Sequence, residues 1–320
     1  MRILITGGAG FIGSNLAQKL LNNGDQVVSI DNLSTGTKTN ITILEQNKNF
    51  KFIKDDILNY DLMQKLIKNC DHIYHLAAAV GVKYVIEHQL QSLITNVQGT
   101  EIVLKLASNF KKKVFFASSS EVYGKNGVRA FKENDDRVLG SVDIPRWGYA
   151  FAKGFDEFLA MAYYQEKQLP VVIGRLFNIC GPGQMPHYGM VIPRFIEQAL
   201  KHEPITVYGD GEQVRSFTYI EDAVWIMKAL MQNTKAEGQI INIGSSQPVT
   251  IKTLAYKIKE FTQSKSKIVF VNHKKIYDKK FEDMFYRVPN ISKMQEYTGY
   301  KPSREFDLIL KKIINNYRGK

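Results

Sequence analysis

An apolar run, Ile3-Leu4-Ile5-Thr6, breaks into Gly7-Gly8-Ala9-Gly10-Phe11-Ile12-Gly13 and then into a helical pattern that Asn23-Gly24 ends. Few folds accept that order. Gly8, Gly10 and Gly13 satisfy a G-x-G-x-x-G spacing, and Gly7, Gly10 and Gly13 a G-x-x-G-x-x-G spacing. Such glycines permit a tight turn and let backbone N–H groups approach a pyrophosphate at a helix N-terminus. Asp31 closes the next apolar run, residues 26–30. A carboxylate about 20 residues beyond the loop can accept bonds from both ribose hydroxyls of an adenosine. It repels a 2′-phosphate, so the pattern predicts NAD rather than NADP. Asp56-Ile57, after a third apolar run at 50–54, is placed to reach the adenine edge; Asp56 alone also reads as an ordinary turn residue.

The apolar runs at 2–6, 26–30, 50–54, 72–76, 113–117 and 170–175 alternate with helical stretches at 14–22, 62–69, 90–109 and 149–166. That alternation predicts an α/β fold, a Rossmann-type doubly wound parallel sheet with both faces covered. Sites in such sheets lie at the carboxyl ends of the strands. From about residue 181 Pro and Gly become frequent and the alternation lapses. The expected organisation is a dinucleotide domain over 1–180, with a return to the sheet at about 215–250, and a smaller discontinuous substrate lobe over 181–320.

At 320 residues the chain suits one large α/β unit or two lobes. The net charge of +12 reads either as a Lys-rich solvated surface or as a field favouring anionic small molecules. The basic residues are dispersed, with short clusters such as Lys111-Lys112-Lys113, and no nucleic-acid arm is visible. Two cysteines, Cys70 and Cys180, exclude a disulfide framework and fit a reducing compartment. No apolar run reaches the length of a membrane span. The chain opens directly on a strand pattern, which leaves no room for a signal peptide. The expectation is a cytoplasmic protein with no metal site.

Tyr149 and Lys153 lie four apart, hence on one helix face. An ammonium beside a phenol favours phenolate and makes a base able to work near neutral pH. The fifth apolar run delivers Ser118, Ser119 and Ser120 at its end. A hydroxyl there can hold a substrate oxygen while the tyrosine takes its proton and hydride leaves the same carbon.

With these residues in place the chain resembles the extended short-chain dehydrogenase/reductase family, and within it the NAD-dependent nucleotide-sugar epimerases, decarboxylases and dehydratases. The likeness runs through Thr6 to Gly13, Asp31-Asn32-Leu33-Ser34, His75-Leu76-Ala77-Ala78, Asn96 with Gly99-Thr100, and Ser118 to Gly124. It continues through Tyr149 and Lys153, Arg175-Leu176-Phe177-Asn178, Gly181-Pro182, Gly189-Met190-Val191-Ile192-Pro193 and Val207 to Phe217. The resemblance implies cofactor contacts from Gly7, Gly10, Phe11, Ile12, Gly13, Asp31, Asn32, Ser34, Asp56, Ile57, Leu76, Ala77, Ala78, Asn96, Ser118, Tyr149 and Lys153. It places Phe177 by the nicotinamide. It assigns catalysis to Tyr149 and Lys153 with Ser119, Ser120 and Glu121. It gives the nucleotide sugar to Asn178, Val191, Tyr208, Arg215 and Arg287, and it implies a homodimer built on the two long helices. Independently, the Arg215 guanidinium offers the fork that matches a diphosphate.

Members of this family begin alike, with the sugar oxidised at C4. Return of the hydride to the other face gives a 4-epimer, a carboxylate on C5 permits loss of carbon dioxide, and loss of a C5 proton lets water leave from C6. Ser120-Glu121 differs from the Asp-Glu typical of NAD-type 4,6-dehydratases and resembles the UDP-glucuronate decarboxylases, as does Arg146-Trp147 before Tyr149. Gly189 to Pro193 and Tyr149 to Lys153 read more like the epimerases. The expected activity is a UDP-sugar 4-epimerase of polysaccharide biosynthesis. UDP-glucuronate decarboxylase, 4-dehydrogenase and dehydratase are the alternatives, and a NAD-binding regulatory protein is the non-enzymatic one.

Overall fold

The structure, a computed structural model, describes residues 1–125, 129–186, 190–272, 282–302 and 304–319. In chain order the first half runs β1 (Arg2–Thr6), α1 (Phe11–Asn22), β2 (Gln26–Asp31), β3 (Phe50–Lys54), α2 (Tyr60–Lys68), β4 (His72–His75), α3 (Val82–Glu87), α4 (Gln89–Asn109), β5 (Lys113–Ser119), α5 (Pro145–Lys167) and β6 (Val171–Leu176). The second half runs β7 (Ile179–Cys180), α6 (Val191–Leu200), β8 (Ile205–Tyr208), β9 (Val214–Arg215), β10 (Thr218–Tyr219), α7 (Ile220–Gln232), β11 (Gln239–Ile243), β12 (Val249–Thr250), α8 (Ile251–Thr262), β13 (Ile268–Val271), β14 (Tyr286–Arg287), α9 (Ser292–Thr298) and α10 (Phe306–Arg318).

Seven strands form one parallel sheet in the order β11-β6-β5-β4-β1-β2-β3. Their side chains alternate between two apolar layers. Ile3, Ile5, Val27, Tyr74, Phe115, Val172 and Ile241 join the cluster that also holds α1 and α7 residues. Leu4, Ile30, Ile73, Val114, Phe116, Val171 and Ile173 join the cluster on the other face, with α2, α4 and α5. A strand buried on both sides is apolar at every position, which is why these runs stand out in the sequence. The strand order reverses between β1 and β4, and there the connections leave in opposite directions and open a crevice.

β11 is the expected return of the chain to the sheet, pairing with β6 from Gln239 to Ile243. The short strands after residue 180 make three small sheets, β10-β7, β12-β9-β14 and β13-β8. β14 pairs with β9, so Arg287 and Arg215 are register partners. A third cluster, with Tyr123, Phe131, Trp147, Phe177 and Met284, lies beneath that end of the sheet.

α5 is turned against the usual pattern. Lys153, Asp156 and Glu157 are buried, whereas Phe151, Phe155 and Phe158 face outward, Phe158 being 70% exposed. Pro145 occupies its first turn, where a missing N–H costs nothing. Leu90 and Leu93 of α4 are exposed as well, whereas Val103 and Leu104 further along the same helix are fully buried in the core.

Candidate active site

A cleft of about 570 Å³ runs along the carboxyl ends of the strands, from the glycine loop to Arg287. Its first half is mostly backbone. β1 ends at Thr6 and the chain turns at Gly7, whose φ of +75° favours glycine. A Cβ there would lie 2.7 Å from the Ala77 nitrogen. A Cβ on Gly13 would lie 2.2 Å from the Gly7 carbonyl oxygen, so the loop and helix pack at a distance no side chain allows. α1 begins at Phe11, one turn earlier than the sequence pattern gave, and no side chain caps it. Its first N–H groups are therefore available to an anion. Gly10, Phe11, Ile12 and Gly13 line the cleft beside them.

Asp31 stands at the end of β2, accepting hydrogen bonds from the N–H of Ala9 at 3.0 Å and of Leu33 at 2.8 Å. Burial pushes its carboxyl up, only partly offset by these backbone bonds. Asn32 donates to Asp56 at 2.8 Å and accepts from the Ser34 N–H at 2.9 Å, which fixes that rim. Asp56 also accepts from the Leu58 N–H, so it is a turn residue and a cleft residue at once. Ile57, Leu76, Ala77 and Ala78 complete the wall. This cradle fits a dinucleotide: the glycines leave space that a Cβ would fill, an uncapped helix end faces it, and an acid faces the adenosine end.

Two expected cofactor residues lie behind the wall. Phe177 is fully buried in the aromatic cluster under the sheet, 6.1 Å from the Tyr123 ring, and the Gly244 backbone covers it. Asn96 is also buried, its Oδ1 accepting from the Ala79 N–H at 2.8 Å. Its role is to shape the loop that carries the lining alanines.

Midway, Ser118, Ser119, Ser120, Tyr149 and Lys153 share the cleft. Ser119 lies by the Tyr149 phenol and favours its ionised form, and its Oγ accepts from the Glu121 N–H. Ser118 points the other way and donates to Glu157. The expected effect of lysine on the phenol is not the dominant one here. Burial and the nearby Glu121 charge hold the Tyr149 phenol above its ordinary value. Burial pulls Lys153 down, while Asp156 and Glu157 push it up. Its ammonium sits 4.7 Å from the Phe116 ring centroid, with no ion pair among the described residues.

The far half is charged. Glu121 takes both Arg146 (2.9 and 3.0 Å) and Arg287. Arg146 also pairs with Asp283 at 2.7 Å, and Asp283 with Arg215 at 3.0 Å. Burial raises both acids, but the guanidiniums outweigh it and hold Glu121 and Asp283 below the ordinary carboxylate range. Asn178, at a left-handed φ of +37°, accepts from Arg287 and donates to the Ser216 carbonyl oxygen. Glu121, Arg146, Asn178 and Arg287 line the cleft.

Arg215 does not line it: it is 7% exposed and donates to the Val214 and Phe285 carbonyl oxygens besides Asp283. Tyr208 stands apart too, with the Arg194 guanidinium 4.0 Å from its ring centroid. Val191 is half-buried at the start of α6, next to Met190, which does reach the cleft. Gly189 of the same motif lies outside the described residues. Arg146 and Asp283 were given no role from the sequence. Arg146 had a signal, three residues before Tyr149 and hence on its helix face. Asp283 had none, since only the fold brings it there. No cluster of His, Cys, Asp or Glu among the described residues could hold a metal ion, and no described helix is long and apolar enough to cross a membrane.

Comparison with known proteins extends over this whole arrangement. The family described as GDP-mannose 4,6 dehydratase matches residues 4–313. A UDP-N-acetyl-alpha-D-glucosaminuronate decarboxylase of Bacillus cytotoxicus is 42% identical over 318 residues, 99% of this chain and 98% of the relative. Among solved structures, a UDP-glucuronic acid 4-epimerase of Bacillus cereus, in complex with UDP-glucuronic acid and NAD, superposes with a TM-score of 0.89 at 32% identity, covering 100% of this chain and 99% of its own. A UDP-glucose 4-epimerase of Thermotoga maritima, bound to UDP-glucose, gives 0.90 at 27% identity, with coverage of 100% and 99%.

Proposed function

The chain belongs to the GDP-mannose 4,6 dehydratase family, and from that membership we propose that it is an NAD-dependent enzyme that decarboxylates a UDP-linked hexuronate. The observation that carries the reading is the pair of guanidiniums, Arg146 and Arg287, gathered on Glu121 in the same cleft as Tyr149. A neutral hexose has no use for two cations beside its ring. A carboxylate on C5 matches their forks where it takes over contacts that Glu121, Asp283 and Asn178 now hold. A sugar gripped there is also hindered from the half-turn that 4-epimerisation requires. The full-length likeness to a decarboxylase supports the same side.

Gly7, Gly10, Gly13 and the α1 N-terminus hold the pyrophosphate, and Asp31 the adenosine ribose. The bound NAD supplies hydride acceptance and return at the sugar C4. Tyr149, aligned by Ser119, takes the C4 hydroxyl proton, and Lys153 keeps a positive charge beside it. The ketone then lies beta to the carboxylate. The C5–C6 bond breaks, carbon dioxide leaves with C6, and C5 takes up a proton. Glu121, ionised between its arginines, acts as their counter-charge. The residues after 180, apart from α7 and β11, which return to the main sheet, form the lobe that receives the UDP, with Val191, Tyr208 and Arg215 on the diphosphate side. Arg215 must then exchange Asp283 for phosphate.

The outward phenylalanines of α5, with Leu90 and Leu93 of α4, make the face through which two copies pair. Phe158→Glu should convert a dimer to a monomer in size-exclusion chromatography with light scattering, with a stability change within about 0.5 kcal/mol.

A second reading, UDP-sugar 4-epimerase, is favoured by the likeness to the two epimerase structures. The deciding experiment incubates the protein and NAD with UDP-glucuronate, UDP-N-acetylglucosaminuronate, UDP-glucose and GDP-mannose, with products read by mass and NMR. Loss of carbon dioxide from a uronate is expected. An unchanged mass with inverted C4 establishes the second reading, and turnover of neutral hexoses alone overturns both roles given to the arginines.

A further inference from the structure

Behind Lys153 lies a buried polar chain that the proposed reaction does not use. Asp156, one turn further along α5, has no exposed surface. Its Oδ2 is 3.2 Å from Thr100 Oγ1, and its Oδ1 has no hydrogen-bond partner among the described residues. Thr100 Oγ1 is also 2.6 Å from the Asn96 carbonyl oxygen and 3.1 Å from His75 Nε2. His75 Nδ1 is 2.7 Å from Thr6 Oγ1, which accepts from the Ala77 N–H at 3.2 Å.

Counting protons orders this chain. With the Thr6 hydroxyl proton on His75 Nδ1, the neutral imidazole donates from Nε2 to Thr100. Burial, with Lys153 nearby, holds His75 at a pKa of about 3, in keeping with that neutral form. Thr100 then has a single proton for two acceptors, the Asn96 carbonyl and Asp156. An ionised Asp156 draws it away from Asn96; a protonated Asp156 donates to Thr100 instead. Both states are sterically served, so the carboxyl is poised to change charge. The other buried acid of this helix face, Glu157, is consumed by Arg175, Arg137 and Ser118.

We propose that Asp156 is a positioning residue for the reaction, the buried counter-charge that keeps Lys153 an ammonium beside Tyr149. The proposal rests on Tyr149 and Lys153 being the catalytic pair. The titratable and charged groups facing Asp156 are Lys153, Glu157 and Tyr149 on its own helix, His75 on β4, and Arg175 and Arg137 reached through Glu157. Burial pushes its pKa up to about 6, and Lys153 pulls against that.

The test compares wild type with Asp156→Asn, Thr100→Val and Thr100→Ser. Infrared titration of the protein without substrate should show a protonated carboxyl band that appears as pH falls through about 6 and is missing in Asp156→Asn. NAD affinity and uronate turnover should each fall on the alkaline side about one pH unit earlier in Asp156→Asn. Thr100→Val should move the same way by less, and Thr100→Ser should restore the wild-type profile. Alkaline limbs that superpose in all four proteins overturn the proposal, as does a carboxyl band unchanged by Asp156→Asn. If Asp156→Asn does not fold, the Thr100 pair decides alone. If no nucleotide sugar is turned over, the reaction proposed above fails, while the infrared and NAD titrations still judge Asp156.

Discussion

The two halves of the cleft solve recognition with opposite materials. The dinucleotide half is made of main chain, small side chains and the acids Asp31, Asp55 and Asp56, drawn largely from residues 7–36 and 55–57. The substrate half is charged: Glu121, Arg146 and Arg287 line it, and Asp283 and Arg215 stand behind them, all brought together from across the chain. The first binds by leaving space, the second by holding charge. A rigid cradle made by glycines cannot adapt to another ligand. A set of ion pairs can exchange partners when an anion enters.

Four substitutions would break or sharpen that contrast. Tyr149→Phe stands between the halves and should cut turnover by about 10³-fold while NAD affinity is unchanged, as measured by single-turnover kinetics and calorimetry. Retained activity would remove the base from the scheme. Arg146→Met should lower kcat/KM for a uronate by roughly 10²-fold and leave NAD affinity intact, since a charge-paired contact is lost. It should also cost about 3 kcal/mol of stability, because Glu121 and Asp283 lose a buried partner. Both acids titrate below their ordinary range in the fold. Their contribution to stability is present above about pH 4 and is lost as pH falls through the lowered values, so Arg146→Met should unfold at a higher pH in acid titration.

Gly8→Ala probes the cradle. Its Cβ would fall 1.6 Å from Ser29 Oγ. The expected loss is about 1–3 kcal/mol in denaturant unfolding, partly recovered by adding Ser29→Ala. Asp31→Asn should weaken NAD about tenfold at neutral pH, the loss of one charge-assisted hydrogen bond. Because burial raises the Asp31 carboxyl, wild-type NAD affinity should fall as pH drops into the range just above ordinary carboxylates. Asp31→Asn should lack that slope in a fluorescence titration.

The same contrast governs what could be read from the sequence. The sheet was legible because strands buried on both faces leave unbroken apolar runs, and its first six strands fall within a residue or two of the expected positions, while β11 falls inside the expected return. The cradle was legible because its residues are contiguous and glycine has few other reasons to recur at that spacing. Phe177 was misplaced because sequence shows a residue's distance along a strand but not which side of the wall its ring takes. Lys153 was expected to act on Tyr149 from helical spacing alone, whereas burial and Glu121, a partner from another segment, weigh more on that phenol. Arg215 was legible as a cation but not as one already engaged by Asp283, an acid 68 residues away that no local pattern announces.

The inverted face of α5 has a consequence for control. Its phenylalanines lie on the opposite side of the very helix that holds Tyr149, Lys153 and Asp156. If association covers those rings, every copy's reacting groups are braced by its neighbour. Specific activity should then rise with enzyme concentration at high dilution, and a chain kept apart from its twin should be a poorer catalyst though its own pocket is untouched.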